Sequence, residues 1–292
     1  MGKDIKKGNI KRANQKLFFT IFRLFSLTVV LVLFAILGFI SIKGISAISW
    51  EFLTTMPSEG MTEGGILPAI VGTLSLVLGS MILAFPIGVM SAIYLNEYSA
   101  HPRLKSFIRT MTNNLAGIPS IVFGLFGMAL FVNTLKFSDS IIAGSCTLAL
   151  VALPVIIRTT EEALLAIDDS FRHASLALGA TKWQTIRRVV LPMAFPNILT
   201  GLILSIGRVS GETAPILFTA AAYFLPKLPH SIFDQVMALP YHLYVITTSG
   251  TEIEKSRPIA YGTALVLIML VLITNIIANF IRRYYNKKYK LN

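Results

Sequence analysis

Charged residues are scarce in this sequence. Asp, Glu, Lys and Arg make up 14% of its 292 residues, whereas 54% are hydrophobic and the mean hydropathy is +0.70. A soluble domain ordinarily carries about 25% charged residues. The shortfall argues against a water-soluble enzyme and more strongly against a disordered chain. The formal net charge of +12 therefore suggests a membrane protein with basic ends, not a nucleic-acid-binding protein.

Cysteine and histidine are also sparse, and several catalytic motifs are missing. The single cysteine, Cys146, excludes an intrachain disulfide, and the four histidines are scattered without metal-ligand spacing. Neither a G-x-x-x-x-G-K-[ST] phosphate loop nor an H-E-x-x-H zinc motif occurs. If ATP drives this protein, another chain must bind it.

What the sequence does have is long apolar runs, and about 20 such residues suffice to cross a bilayer as a helix. They predict an all-α, polytopic membrane protein with six transmembrane helices. The predicted spans are Leu17–Ile42, Ile66–Leu95, Leu115–Leu135, Ser140–Ile157, Asn197–Tyr223 and Ile259–Ile281. The first span is too long for a cleavable signal and has no prompt cleavage site, so we expect a retained anchor.

The distribution of Lys and Arg predicts the orientation of these spans. With both termini in the cytoplasm, the inner segments hold 19 of the 26 basic residues and the outer segments hold five. We therefore expect both termini inside. In the outer segment 224–258, an apolar run around Ile232 and Val236 predicts a short surface helix.

The inner segment 158–196 predicts two helices joined by a glycine turn. Asp169 or Ser170 can cap a helix that ends at Leu178, and Gly179 suits the left-handed position after it. Thr181 and Gln184 form a capping box for a second helix, which Pro192 is expected to end. Such a hairpin could serve only as an interfacial element or could dock another protein.

Arg208 and Glu212 lie near the middle of the predicted fifth span. A central charge costs roughly 2.5–3.5 kcal/mol on insertion scales, so this span needs a bundle or a water-filled cavity. The two residues are four apart and can pair on one helix face. The pair could simply stabilise the bundle, or Arg208 could line the path of an anion, for which its planar guanidinium is well suited.

Two motifs resemble known families. The run His173-Ala174-Ser175 is followed by Gly179 and then, after nine intervening residues, by Val189 and Pro192. This pattern resembles the cytoplasmic-loop motif of ABC importer permeases. Their pattern is Glu-Ala-Ala, three residues, Gly, nine residues, Ile-x-Leu-Pro, so His173 stands in place of the glutamate. The resemblance implies that this loop, Ala180 included, docks a separate ATPase subunit.

The stretch 206–215, Ile-Gly-Arg-Val-Ser-Gly-Glu-Thr-Ala-Pro, resembles the PstA family of phosphate-importer permeases, as do Gly65–Ile70, Ile93–Tyr98 and Leu153–Thr160. The resemblance runs from about residue 60 to the C-terminus. It implies a type I ABC importer bundle over residues 61–292, preceded by a basic N-terminus and anchor over residues 1–60. Arg208, Glu212, Thr213 and Arg158 would then line the substrate path.

The same resemblance implies a bacterial inner-membrane complex for phosphate. Its other members would be a sister permease PstC, two copies of the ATP-binding subunit PstB and the phosphate-binding protein PstS. ATP and Mg²⁺ would bind the ATPase, and this chain would be non-catalytic and hold no cofactor. Two alternatives remain open: an ABC permease for another oxyanion such as sulfate, and an ATP-independent anion channel or carrier.

Overall fold

The computed structural model describes residues 2–99, 101–249 and 253–288 and is mostly helical in those ranges. The helices are α1 Gly2–Ile45, α2 Trp50–Thr54, α3 Leu67–Ile93, α4 Pro102–Ala116, α5 Ser120–Gly127, α6 Ile141–Leu165, α7 Asp169–Ala177, α8 Lys182–Thr185, α9 Leu191–Ser210, α10 Ala214–Leu217, α11 Leu239–Thr248 and α12 Ile253–Lys288. Two short antiparallel strands, β1 Pro57–Ser58 and β2 Glu63–Gly64, form a small hairpin between α2 and α3.

Wide π-helical turns extend three of these helices. They are Tyr94–Tyr98 after α3, Met128–Thr134 after α5, and Ile186–Val190 between α8 and α9. The last of these joins α8 to α9 in one continuous helical stretch, Lys182–Ser210. Pro192 lies inside this stretch, just after the wide turn Ile186–Val190, and does not interrupt it. The prediction that Pro192 ends the second hairpin helix was therefore wrong.

Within the described residues, five helices are long and apolar enough to cross a membrane, and a sixth crossing is available if a bent pair counts as one span. The five contain the predicted first, second, fourth, fifth and sixth spans or most of each. The bent pair is α4 with the stretch Ser120–Thr134, which turn by 101° at Gly117–Pro119. The helix in the predicted third span therefore begins at Ser120, not at Leu115, because Pro119 cannot continue the preceding helix.

The centre of the bundle is formed by α3, α6 and α9, which pack through glycines. Gly88 of α3 lies against Ile156 of α6, and Gly201 of α9 lies against Thr159 of α6. The absence of a side chain lets the helix backbones approach closely. By contrast, the most apolar part of α1 is not covered by the rest of the chain. α1 meets α12 at its end, where Gly44 lies against Tyr261.

We call the end of the bundle that carries α7 and α8 the hairpin end, and the other the opposite end. At the opposite end the chain folds back onto α3: the Leu239 N–H donates to the Thr73 hydroxyl at 2.8 Å. Ile232 and Val236 belong to no helix there, so the predicted surface helix around them was wrong. Ile232 and Asp234 instead give their carbonyls to the first N–H groups of α6.

Candidate functional site

The fifth membrane segment is a broken helix. α9 ends at Ser210, residues 211–213 are not helical, and the short helix α10 comes next. The predicted unbroken span Asn197–Tyr223 was therefore wrong at both ends, since its helix starts earlier, at Lys182, and stops earlier. Gly211 is a poor helix former, and Pro215 fits the first turn of the new helix α10.

Contacts with α6 place this break near the middle of the bundle, measured along the length of α6. Gly201 lies beside Thr159, and Ala220 lies beside Gly144 close to the start of α6. At 1.5 Å per helical residue, Ser210 is about 14 Å from the level of Gly201, along an α6 that rises about 27 Å from Thr159 to Ile141. Broken helices at such a depth are where transporters place substrate sites, since the unwound backbone must line a cavity or be covered by protein.

Arg208 and Glu212 flank the break. Arg208 Nε donates to Glu212 Oε1 at 3.4 Å, and the two side chains are 39% and 16% exposed. The predicted pairing is present, but at the end of α9 and not inside a continuous helix. The carbonyl end of α9 favours a positive charge there. A long contact and a guanidinium that is two-fifths open leave Arg208 able to take a second anionic partner.

Thr213 precedes α10 and accepts the N–H of Leu217 at its carbonyl, at 3.1 Å. Its position in the unwound stretch puts it next to Glu212 along the chain. The described contacts give its side chain no hydrogen bond, so its role in the path remains a prediction.

Arg158 occupies a different place. Its Nε donates to Glu162 at 3.1 Å and its Nη1 to Asn113 of α4 at 3.2 Å. These residues line a cavity of about 270 Å³ between α4 and α6, beside the ion pair Arg109–Glu161. Arg158 is about 10 Å nearer the hairpin end than Arg208, by helical rise from the Thr159–Gly201 contact. The structure does not bring the two arginines into one site.

The predicted hairpin is present. α7 is capped by Asp168, not by Asp169 or Ser170, and ends at Ala177. Hydrogen bonds from the Ser170 hydroxyl and N–H hold the pKa of the Asp168 carboxyl below its usual value. Gly179 has φ of +82°, the left-handed conformation that was predicted, and the capping box of Thr181 and Gln184 is formed.

The tip of the hairpin is open and partly apolar. Leu178 is 88% exposed, and Leu176 and Trp183 are also exposed. His173 and Ala174 are exposed on α7, whereas Ala180 is half-buried after the turn and Val189 half-buried in the turn Ile186–Val190. A projecting apolar tip of this kind is typical of a docking surface.

Sequence reasoning missed the ion pair between Arg172 of α7 and Glu97 after α3. Arg172 Nη2 donates to Glu97 Oε1 at 2.9 Å. The two residues are 75 positions apart, so no local spacing rule could join them. The one available signal was that Glu97 falls within the stretch Ile93–Tyr98 that resembles the phosphate-importer permeases.

The sequence profile of a known family matches residues 84–291, and its description is binding-protein-dependent transport system inner membrane component. This chain belongs to that family. It is a non-catalytic membrane subunit of an ABC importer, which works with a partner ATPase and a binding protein.

Two relatives show how similar this permease is to named members of the family. The probable ABC transporter permease protein YqgI of Bacillus subtilis is 33% identical over 97% of this chain and 99% of its own length. The phosphate transport system permease protein PstA of Mycobacterium leprae is 42% identical over 74% of this chain and 69% of its own length. These comparisons confirm the resemblance on which the sequence interpretation rested.

Solved structures confirm the type I importer fold of this permease. A bacterial ABC transporter involved in the import of the acidic polysaccharide alginate superposes with a TM-score of 0.64 over 87% of this chain and 92% of that one, at 16% identity. The inward-facing MetNI methionine transporter gives 0.57 over 76% and 94%, at 20% identity. At such identities the likeness concerns the fold alone.

Proposed function

We propose that this permease forms half of the translocation path for inorganic phosphate in an ATP-driven importer. The observation that carries the proposal is Arg208, a partly open guanidinium at the mid-depth break of α9 with one long contact to Glu212. A guanidinium presents a planar set of donors that matches the oxygens of phosphate. The phosphate cargo is supported by relatives named as phosphate transport permeases, at 42% identity in Mycobacterium leprae and 33% in Haemophilus influenzae.

In this proposal Glu212 balances the charge of Arg208 when the site is empty and holds the guanidinium in place when phosphate is bound. Thr213 offers a hydroxyl at the unwound turn. Arg158 lines the way out at the hairpin end, where its pairing with Glu162 and Asn113 would loosen as the anion passes. This chain holds no cofactor, and ATP and Mg²⁺ act on the partner ATPase.

The proposed complex contains a sister permease of the PstC type, two ATPase copies of the PstB type and a binding protein of the PstS type. The hairpin of α7 and α8 docks one ATPase through His173, Ala174 and its apolar tip. Both termini lie in the cytoplasm of a bacterial cell, as the excess of Lys and Arg on that side favours. ATP binding closes the ATPase pair and moves the hairpin, and the spans then change the side from which Arg208 is reached.

Labelled phosphate uptake tests the proposal in cells that lack their own importers. The four subunits are expressed together, with either native Arg208 or Arg208→Gln. We expect ATP-dependent uptake that falls at least about 10-fold in the variant at equal membrane levels, since a charge-assisted contact to the substrate is lost. Equal uptake by the native and variant complexes would show that Arg208 has a structural role and does not bind the substrate.

Two further arms of the experiment address the alternatives. If excess sulfate abolishes phosphate uptake, a general oxyanion permease would be favoured, because a guanidinium alone binds both anions. Anion transport by this chain alone in liposomes would favour a channel or carrier and contradict the importer proposal.

A further inference from the structure

The hairpin of α7 and α8 is attached to three spans, although the chain connects it to only two. α6 precedes it and α9 comes after it, so covalent bonds make these helices follow any movement of the hairpin. The third attachment is to the turn Tyr94–Tyr98 at the hairpin end of α3. It is made entirely by side chains.

Arg172 of α7 is the centre of this attachment. It donates to Glu97 Oε1 from Nη2 at 2.9 Å and from Nε at 3.3 Å. It also donates to the carbonyls of Leu164 at 2.9 Å and Ile167 at 2.7 Å, at the end of α6 and just beyond it, and to Asp169 at 3.0 Å. The planar guanidinium thus connects α3, α6 and α7 at one point.

This ion pair is shielded from solvent, unlike most of those on the surface. The side chains of Arg172 and Glu97 are 15% and 8% exposed, and Asn96 Nδ2 donates to the same Glu97 oxygen at 3.0 Å. A shielded pair of this kind is present or lost as a unit, since either charge without its partner would be buried and unpaired. It can therefore hold two elements in a fixed relation during a large movement.

Two more contacts support the attachment. The ammonium of Lys182 in α8 lies 5.1 Å from the centroid of the Tyr98 ring, a cation–π contact from the second arm of the hairpin. Beneath both, an apolar cluster joins the hairpin ends of α3, α6 and α9. Its buried members are Ile93, Ala163, Leu164, Ile186, Val190, Ala194 and Ile198.

We propose that the Glu97–Arg172 ion pair is the joint through which α3 follows the hairpin, and that it couples ATP hydrolysis to opening of the path. This inference rests on the proposed docking of the ATPase at the hairpin. Glu97 and Arg172 are positioning residues, since neither lies at the Arg208 site. Breaking the joint leaves only the packing of α3 against α6 to move α3, so α3 follows the hairpin less closely.

The test uses the complete four-subunit complex in proteoliposomes and measures phosphate transported per ATP hydrolysed. In Glu97→Gln we expect this ratio to fall about 5- to 10-fold, within the usual range for coupling between distant sites, while ATP hydrolysis and complex assembly stay within about twofold. Arg172→Lys keeps the charge but loses the planar fork of the guanidinium. Its ratio of phosphate transported to ATP hydrolysed should therefore lie between those of wild type and Glu97→Gln. Asp169→Asn, the matched control, removes the exposed partner of the same arginine and should leave the ratio unchanged.

A second measurement follows the helices without reference to the cargo. In a Cys146→Ala chain, an environment-sensitive label is placed at Met90→Cys on α3 or at Arg188→Cys beside the hairpin. In the wild-type background both labels should respond to ATP. With Glu97→Gln the label on α3 should respond clearly less to ATP, whereas the label beside the hairpin should keep its full response.

An unchanged ratio of phosphate transported to ATP hydrolysed, together with a full response of the α3 label to ATP, would contradict the proposal that this ion pair is the joint. So would a loss of transport that is matched by equal losses of ATP hydrolysis and assembly, because a merely structural role predicts that pattern. A wild-type complex that moves no phosphate would count against the proposed cargo instead, and the label pair would still decide whether α3 follows the hairpin.

Discussion

Glycine determines how closely the bundle packs, and Gly72 of α3 shows this most directly. An added Cβ at Gly72 would overlap the backbone carbonyl oxygen of Met237 and crowd Val236, in the segment that covers α3 at the opposite end. Because the obstacle is backbone, a rotamer change cannot relieve it. This close backbone contact holds the covering segment against α3 by packing alone.

We therefore predict that Gly72→Ala destabilises the permease by about 1–3 kcal/mol, the usual cost of overpacking. Thermal unfolding of the purified protein in detergent measures the change. Gly38→Ala in α1 is the matched control, since a Cβ there has no neighbour within 4 Å. A similar shift for both variants would contradict the overlap argument.

At the residue scale, sequence reasoning found the groups whose significance lies in their own surroundings. Arg208 and Glu212 stand out because they are charges in an apolar run, and their spacing of four correctly predicted that they pair. Arg158 was grouped with them, yet it pairs with Asn113 of another helix. Contacts such as Arg158–Asn113 and Arg172–Glu97 depend on tertiary packing, which no single-sequence pattern encodes.

At the scale of elements, the hairpin turn depends on one backbone conformation. Gly179 has φ of +82° and no heavy atom within 4 Å of a Cβ at this position, so the only penalty for a side chain is conformational. We predict that Gly179→Val costs about 1–2 kcal/mol and lowers ATPase co-purification about 5- to 30-fold. Gly179→Asn should retain most binding, because asparagine tolerates this conformation. Equal loss in both would point to a direct contact with the ATPase instead.

The loop at the opposite end has its own anchor in Asp234. N–H bonds from His230 at 2.8 Å and Ser231 at 2.9 Å lower the pKa of its carboxyl below the ordinary 3.8. A lowered folded-state pKa means that the ionised group stabilises the loop above about pH 4. That stabilisation is lost as the pH falls through the lowered value.

We predict that Asp234→Ala raises hydrogen exchange of the 230–234 amides at pH 7. The difference from wild type should shrink as the pH falls below about 4 and disappear once the pH has passed the lowered pKa of Asp234. Hydrogen-exchange mass spectrometry with correction for intrinsic rates measures both. Gln235→Ala, which removes only a side-chain bond to Asp139, should change these amides less. A difference that persists in acid would show that the carboxylate is not the anchor.

Helix positions were more predictable than helix interruptions. Apolar length located the spans, and capping residues located the start of α8. The break after Ser210 was not predicted, although Gly211 lies in it and Pro215 comes soon after, because mostly apolar residues resume at Ala214 and continue to Ala222. An apolar run indicates that a stretch is buried. It does not show whether the backbone there is helical or is irregular and covered by neighbouring helices.

At the scale of the whole molecule, the single cysteine allows the proposed orientation to be tested cleanly. In a Cys146→Ala chain, we predict that Lys227→Cys reacts with a membrane-impermeant maleimide in intact cells. Lys182→Cys should react only after the cells are opened, because basic segments are retained inside. Mass shifts on gels report both reactions, and the reverse pattern would place the hairpin outside.

The broken fifth segment also has a consequence for how this protein is made. Residues 211–222 cannot satisfy their backbone groups alone in lipid, and the structure covers them with α5 and α6, as where Gly124 meets Ala214 and Gly144 meets Ala220. During synthesis, α9 must therefore wait at the insertion machinery until the earlier helices form a pocket for residues 211–222. A chain truncated before Val236 would leave this stretch without its bridge partner for Ala221. Incomplete permeases would therefore expose unpaired backbone that cellular quality control can recognise.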